Sequence, residues 1–232
     1  MALSDDAFPA LAKNFVLFVH ITSRVPGDKH QDLMKEKGGS AFPYVAVLDA
    51  DGEVVARHRG KRTAGGLKEF GDKALAFVDA KKKAAAGDKR AKVQLAILRL
   101  DLDLDKHSLD DAQTYVRDLG DMTEEQEKRV EGLLTSIEVN DLSTKTRGNR
   151  AAQVEAGQKC VDMKEAGRLP TDFTAVVGFW HLVGLKALSK RDVVLYEESL
   201  AALRKACGDD PFFKEFLDGK EKALAELKEP KK

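Results

Sequence analysis

The stretch Ala41-Phe42-Pro43-Tyr44-Val45-Ala46-Val47-Leu48-Asp49-Ala50-Asp51-Gly52-Glu53-Val54-Val55 decides how the amino-terminal third is read. A proline enters an apolar run, a short Asp- and Gly-bearing segment interrupts it, and apolar residues return. This predicts a strand from Tyr44 to Leu48, a turn over Asp49-Ala50-Asp51-Gly52 in which Gly52 takes a positive φ, and an antiparallel strand from Glu53 to His58. Pro43 lacks an N–H, so it suits the first position of a strand or a loop that meets a ligand with its backbone.

Working outward, Ser4 followed by Asp5 and Asp6 marks a helix start, with Ala7, Phe8, Leu11 and Ala12 at helical spacing and Pro9 near the first turn, so a short helix is predicted over Ser4 to Asn14. Phe15-Val16-Leu17-Phe18-Val19-His20-Ile21 is nearly continuous in apolar residues and predicts a strand covered on both faces. Pro26-Gly27-Asp28 breaks the chain, and His30 to Lys37 reads as a short helix stopped by Gly38-Gly39. After the hairpin, Gly60 and a polar segment lead into a helix from about Ala64 to Ala80, with Leu67, Phe70, Ala74, Leu75 and Val78 as its buried stripe. The order over the first eighty residues is α, β, α, β, β, α.

The character changes at Lys81-Lys82-Lys83-Ala84-Ala85-Ala86, and no strand signal recurs. Two domains follow, residues 1–82 of α/β type and residues 83–232 all helical, each long enough to bury its own core. Helices are expected over about 83 to 102, 109 to 119, 123 to 146, 149 to 166, 171 to 188, 191 to 206 and 211 to 228. Ser108 with Asp111, and Thr123 with Gln126, have capping-box spacing. Gly120, Gly148, Gly167 and Gly208 mark helix ends, and Pro170 and Pro211 open the helices after them.

The chain has 39 Lys plus Arg against 39 Asp plus Glu among 232 residues, so no cationic surplus exists to hold a phosphate backbone or an anionic membrane surface. Neither nucleic acid nor a membrane is an expected partner. No run of about 18 apolar residues is present. The opening Met1-Ala2-Leu3-Ser4-Asp5-Asp6 lacks the basic and apolar regions of a signal peptide, so as written the chain reads as soluble and cytoplasmic. A periplasmic or secreted location would follow if a leader has been removed.

The chemistry-bearing residues are few. Cys160 and Cys207 fall in predicted helices with neither Cys-x-x-Cys nor zinc spacing, and read as two separate, partly buried thiols. A disulfide between them is the minor reading. His20, His30, His58, His107 and His181 show no metal-ligand spacing, so no metal and no cofactor is expected. Asp101, Asp103 and Asp105 imitate the start of a calcium loop, yet Lys106 stands where Gly is needed and Ala112 where Glu is needed. No phosphate-binding Gly-x-x-x-x-Gly-Lys and no Gly-x-Ser-x-Gly occurs.

Taken together, the apolar run Phe15 to Ile21, the short helix ending at Gly38-Gly39, Ala41-Phe42-Pro43, the Asp51-Gly52 hairpin, Gly60, and the helix with Leu67, Glu69 and Phe70 resemble the later two-thirds of a thioredoxin-like domain. The opening from Leu3 to Val16 further resembles the segment following the Trp-Cys-x-x-Cys helix in a bacterial branch that carries extra helical domains. The resemblance implies a cis-proline at Pro43 and a peptide-binding loop at Ala41, Phe42 and Pro43. It also implies that Met1 falls just after the position of the catalytic cysteines and that the central strand is missing. That loss would leave Phe15 to Ile21 and Tyr44 to Leu48 without their shared neighbour. Direct pairing, cover by helices, or a strand lent by a second copy in a homodimer would each repair it.

The fold class is thus α/β plus α, a partial thioredoxin-like domain followed by a helical bundle or tetratricopeptide-like domain. The implied family activity is thiol-disulfide exchange, which requires an accessible thiolate and a resolving thiol. Without Cys-x-x-Cys this chain is expected to be redox-inactive and not an enzyme. The alternative is a non-catalytic protein or peptide interaction module, in which Trp180, Gly184 and Ala187 stand where a tetratricopeptide unit puts an aromatic, a Gly and a small residue. Phe173, Val176, Val177, Phe179, Trp180, Val183 and Leu185 read as helix core rather than a docking groove.

Overall fold

A computed structural model describes residues 9, 12–20, 29–40, 42–60, 63–102 and 107–229. Among them the chain is mostly helical, with a single two-stranded antiparallel sheet. It divides into two compact units, Met1–Leu95 and Ala96–Lys232, the division falling inside a helix.

In the first unit the elements are α1 (Leu33–Glu36), β1 (Ala46–Leu48), β2 (Val54–Arg57) and α2 (Ala64–Ala85), followed by the start of α3 (Lys89–Leu102). The hairpin forms where predicted, with Ala46 opposite Arg57 and Val47 opposite Ala56. A bulge then shifts Leu48 opposite Val54. A bulge re-aims a side chain, and Val55 and Ala56, neighbours in sequence, are both buried. Gly52 takes φ +76° in the turn, as read from the sequence.

Helix α2 begins at Thr63, whose side chain accepts from Gly66 N, and packs on β2. Its inward stripe is Leu67, Gly71, Ala74, Phe77, Ala80 and Ala84. The predicted stripe was right at Leu67 and Ala74 but wrong at Leu75 and Val78, each 44% exposed. The three-residue steps of small residues on one face, not the largest side chains, set which side turns inward, and Phe77 supplies the volume. The helix also runs five residues past its predicted end, because Ala84 and Ala85 propagate it well.

The predicted strand at Phe15 to Ile21 is not formed. Residues 16–20 carry no strand pairing, Val16 and Val19 are 98% and 82% exposed, and Ile21 lies outside the described residues. An apolar β-type run becomes a strand only when a neighbour pairs with it, and none of the described residues does. The predicted helix over Ser4 to Asn14 is described at Pro9 and Ala12, both helical, and at Lys13 and Asn14, which form a turn; the rest of it lies outside the described residues.

The second unit holds the rest of α3, then α4 (Leu109–Arg117), α5 (Glu124–Lys145), α6 (Arg150–Glu165), α7 (Phe173–Lys190), α8 (Val193–Cys207), a 3-10 turn (Pro211–Phe213) and α9 (Lys214–Lys228). These fall close to where the sequence puts them, except that the helix predicted over 83 to 102 is broken at residues 86–88, where α2 has ended and α3 begins. Thr123 and Gln126 form a full capping box, and Ser108 accepts from Asp111 N. Pro170 does not open its helix: Asp172 caps α7 through Ala175 N. Helix α7 packs against α5, α6 and α8, and its face of Phe179, Leu182, Val183 and Leu185 is fully buried. Of the apolar surface predicted as core, Phe179, Val183 and Leu185 are buried, and Phe173, Val176, Val177 and Trp180 are half-buried.

Close approach explains two glycines of this unit. A Cβ on Gly157 of α6 would lie 2.3 Å from the carbonyl oxygen of Leu182, and one on Gly184 of α7 would lie 2.9 Å from Ser199 Oγ. Gly184, singled out as a repeat-motif residue, thus lets α7 and α8 close on each other.

Candidate functional site

The loop between α1 and β1 is built by short-range contacts. Gly38, at φ +81°, turns the chain at the end of α1, and Gly39 N donates to Met34 O at 2.7 Å. A side chain on Gly39 would meet Met34 and the Tyr44 ring at under 3 Å. Tyr44 Oη donates to Lys37 O, fastening the far side of the loop to the helix end. Between these anchors the Phe42-Pro43 peptide is cis, the geometry the family resemblance implies there. Phe42 is 67% exposed. Pro43 is exposed beside it, and Ala41, the third residue of the predicted peptide-binding set, lies outside the described residues.

The hairpin turn behind this loop is fixed by polar bonds. Asp49 Oδ1 accepts from Asp51 N at 3.0 Å and from Glu53 N at 2.9 Å, while Lys81 Nζ donates to Asp49 Oδ2 at 2.7 Å and to Glu53 Oε2 at 3.1 Å. The hydrogen bond from Lys81 holds the Asp49 carboxyl below its ordinary value, and Asp49 together with Glu53 raises the Lys81 ammonium above its own. Lys37 Nζ adds a bond to Gly52 O at 2.8 Å. Lys81 was legible only as one of a lysine run; nothing local marks a contact with residues about thirty positions earlier.

Among the described residues, one edge of β1 pairs with no other strand. His58 N donates to Val45 O at 2.9 Å, and inward and outward backbone groups alternate along an antiparallel pair. Ala46 and Leu48 therefore turn their N–H and C=O groups away from β2. Val45 and Leu48 stay about two-fifths exposed, at 40% and 41%.

Both sulfurs lie in the other unit. Cys160 and Cys207 are wholly buried thiols in α6 and α8. Burial, with the charge of Glu138 adding to it, pushes the Cys160 thiol up to about 12. A thiol so protected is almost entirely protonated near neutrality and is a poor nucleophile. No cluster of His, Cys, Asp or Glu among the described residues has the form of a metal site. Asp101 pairs with Arg129 at 3.3 Å; Asp103 and Asp105 lie outside the described residues. His58 rests edge-on against Phe70 at 5.5 Å and His107 stacks on Tyr115 at 6.3 Å, which are packing roles. No helix among the described residues is long and apolar enough to cross a membrane.

A shallow cleft of about 380 Å³ opens in the second unit beside Leu109, Leu134, Glu138 and Arg168. Within it Arg168 donates to Glu138, and Gln113, Glu131 and Thr135 complete the polar lining.

The chain matches no protein-family model, no curated protein and no solved structure.

Proposed function

We propose that this chain is a thioredoxin-like protein that performs no thiol chemistry of its own and instead binds an extended protein segment along Phe42-Pro43 and the outer edge of β1. The observation that carries this reading is the open edge itself. It presents the backbone groups of Ala46 and Leu48 directly after an exposed Phe42. An extended peptide adds to such an edge through main-chain hydrogen bonds, with side-chain contacts supplying selectivity. The order α1, cis Phe42-Pro43, hairpin, α2 supports the family likeness, being the order the resemblance implies. Burial of Cys160 and Cys207 supports the absence of exchange chemistry.

A second reading, a helical interaction scaffold of tetratricopeptide type, draws support from Gly184, which admits the close pairing of α7 with α8 that stacked repeats require.

Selection of a displayed random-peptide library on the full chain tests the first reading. Selected peptides should bind Phe42→Ser about tenfold more weakly or worse, as expected for loss of an aromatic anchor. Ala46→Pro, which removes an outward N–H, should weaken them comparably. Peptides that bind both variants with parental affinity would refute the edge as the site. Insulin disulfide reduction at a thioredoxin-like rate, abolished by Cys160→Ser and Cys207→Ser, would refute the non-catalytic assignment.

A further inference from the structure

Val16, Leu17, Phe18 and Val19 are 98%, 61%, 71% and 82% exposed. No other stretch of described residues leaves four successive large apolar side chains in solvent. Scattered apolar residues on a surface are ordinary, whereas a contiguous run marks an interaction site. This run already has the geometry of a strand. The rings of Phe18 and His20 stack with centroids 6.4 Å apart and planes 14° from parallel, close to the ~6.8 Å that two residues advance along a strand, where positions i and i+2 share a face. Val16 and Phe18 therefore stand on one face and Leu17 and Val19 on the other, and both faces are bare.

The same unit holds an edge that pairs with no strand among the described residues. Ala46 and Leu48 turn backbone groups away from β2, beside the exposed side chains of Phe42, Val45 and Leu48. Edges meant to stay free are blunted by charge, by proline or by a bulge in the edge strand. Val45-Ala46-Val47-Leu48 carries neither charge nor proline, and the bulge of the hairpin places its extra residue, Val55, in β2 rather than in β1. The run Val16-Leu17-Phe18-Val19 is likewise free of charge and proline. Cationic and anionic residues number 39 each, so two copies of the chain meet without net repulsion.

We propose that residues 16–20 of one copy add as a third strand to the outer edge of β1 in a second copy, and that the exchange is reciprocal, giving a closed two-fold dimer. The inference rests on the reading of that edge as a strand-binding site and names its occupant. Within one copy the run stands in solvent and, among the described residues, the edge takes no third strand. Between two copies each supplies what the other lacks. Main-chain hydrogen bonds to Ala46 and Leu48 set the pairing, and the apolar run meets Phe42, Val45 and Leu48. The two-fold repeat doubles the contact that a three-residue strand offers alone.

Sedimentation equilibrium of the full chain over a range of concentrations is the test. The parent should be a dimer in reversible exchange with monomer. The double variant Val16→Lys, Phe18→Lys, on side chains already in solvent, should raise the dimer dissociation constant about tenfold or more, as expected for loss of apolar anchors. Its far-ultraviolet circular dichroism spectrum should stay that of the parent. Ala46→Pro should weaken the dimer comparably from the accepting side. Mixed together, the lysine variant keeps an intact edge and the proline variant an intact run, so the two should form a one-to-one heterodimer although neither self-associates. A monomeric parent, a lysine variant that dimerises with parental affinity, or variants that fail to associate on mixing would each overturn the inference. A parent that polymerises would overturn the reciprocal closure. Displayed peptides that bind a monomeric chain, and lose that binding in Ala46→Pro, would sink the dimer and keep the edge reading. A dimer broken by the lysine variant but indifferent to Ala46→Pro would sink the pairing at the edge.

Discussion

In the amino-terminal unit the hairpin turn is fastened by Lys81 on Asp49 and Glu53, while Phe42, Val45 and Leu48 stay exposed. In the carboxy-terminal unit Phe179, Val183, Tyr196 and Leu200 are buried to 2% exposure or less, while ion pairs such as Lys164 with Glu198 and Arg204 with Glu221 join helices at the surface. One region therefore displays apolar side chains and backbone edges but holds neither cysteine. The other holds both cysteines but keeps them inside. The contrast separates the edge proposed to bind from the thiols: the edge is displayed, and the sulfurs that could attack a disulfide are enclosed.

Variants can sharpen or break this contrast. The largest effect should come from Phe179→Ala, which empties the centre of the helical core and should cost about 3–5 kcal/mol in chemical denaturation. Next, Gly157→Ala should cost about 1–3 kcal/mol through overpacking against the Leu182 carbonyl, net of some gain in helix propensity. A stable Gly157→Ala would mean that α6 and α7 are not so closely packed.

Acid should weaken the helical unit in a defined window. The folded His181 binds protons less readily than the unfolded one, about 4 against 6.5, because of burial, Lys220 and Arg150. The unfolded chain thus carries more protons in that interval, and stability falls as pH drops from about 6.5 through about 4. His181→Phe should flatten this part of a pH–stability curve. By the same sign, the Lys220 value of about 8 against 10.5 makes stability rise between those pH values, and Lys220→Met should remove that rise.

A smaller effect, about 1 kcal/mol, is expected for Thr123→Ala, which removes half of the capping box on α5. The least global change should come from Lys81→Met. It should speed amide hydrogen exchange at Asp51 and Glu53, whose N–H groups rest on Asp49, and leave the helical melt unmoved.

The sequence carried the local features well and the distant ones poorly. Helix limits in the second half were legible because Thr123, Ser108, Gly120, Gly148 and Gly167 act within a turn of themselves. The Asp49 to Gly52 turn was legible for the same reason of short range, and the cis bond at Pro43 only through the family resemblance. The expected strand at Phe15 to Ile21 failed because pairing needs a neighbour from elsewhere in the chain. The stripe of α2 was misjudged at Leu75 and Val78 because residue size was weighed above the steps set by Gly71, Ala74 and Phe77. Of the proposed site, Phe42 and Pro43 were named from the sequence, and both are exposed. Lys81 was not named, since folding alone brings it to Asp49 and Glu53 about thirty positions earlier.

The most direct measurement is the reactivity of the two thiols in the native chain, followed with an aromatic disulfide reagent in the parent, Cys160→Ser and Cys207→Ser. Enclosed thiols should react no faster than the chain opens, with full labelling appearing only in denaturant. A native Cys160 or Cys207 that reacts near neutrality at the rate of free cysteine would contradict the division between a displayed edge and enclosed thiols.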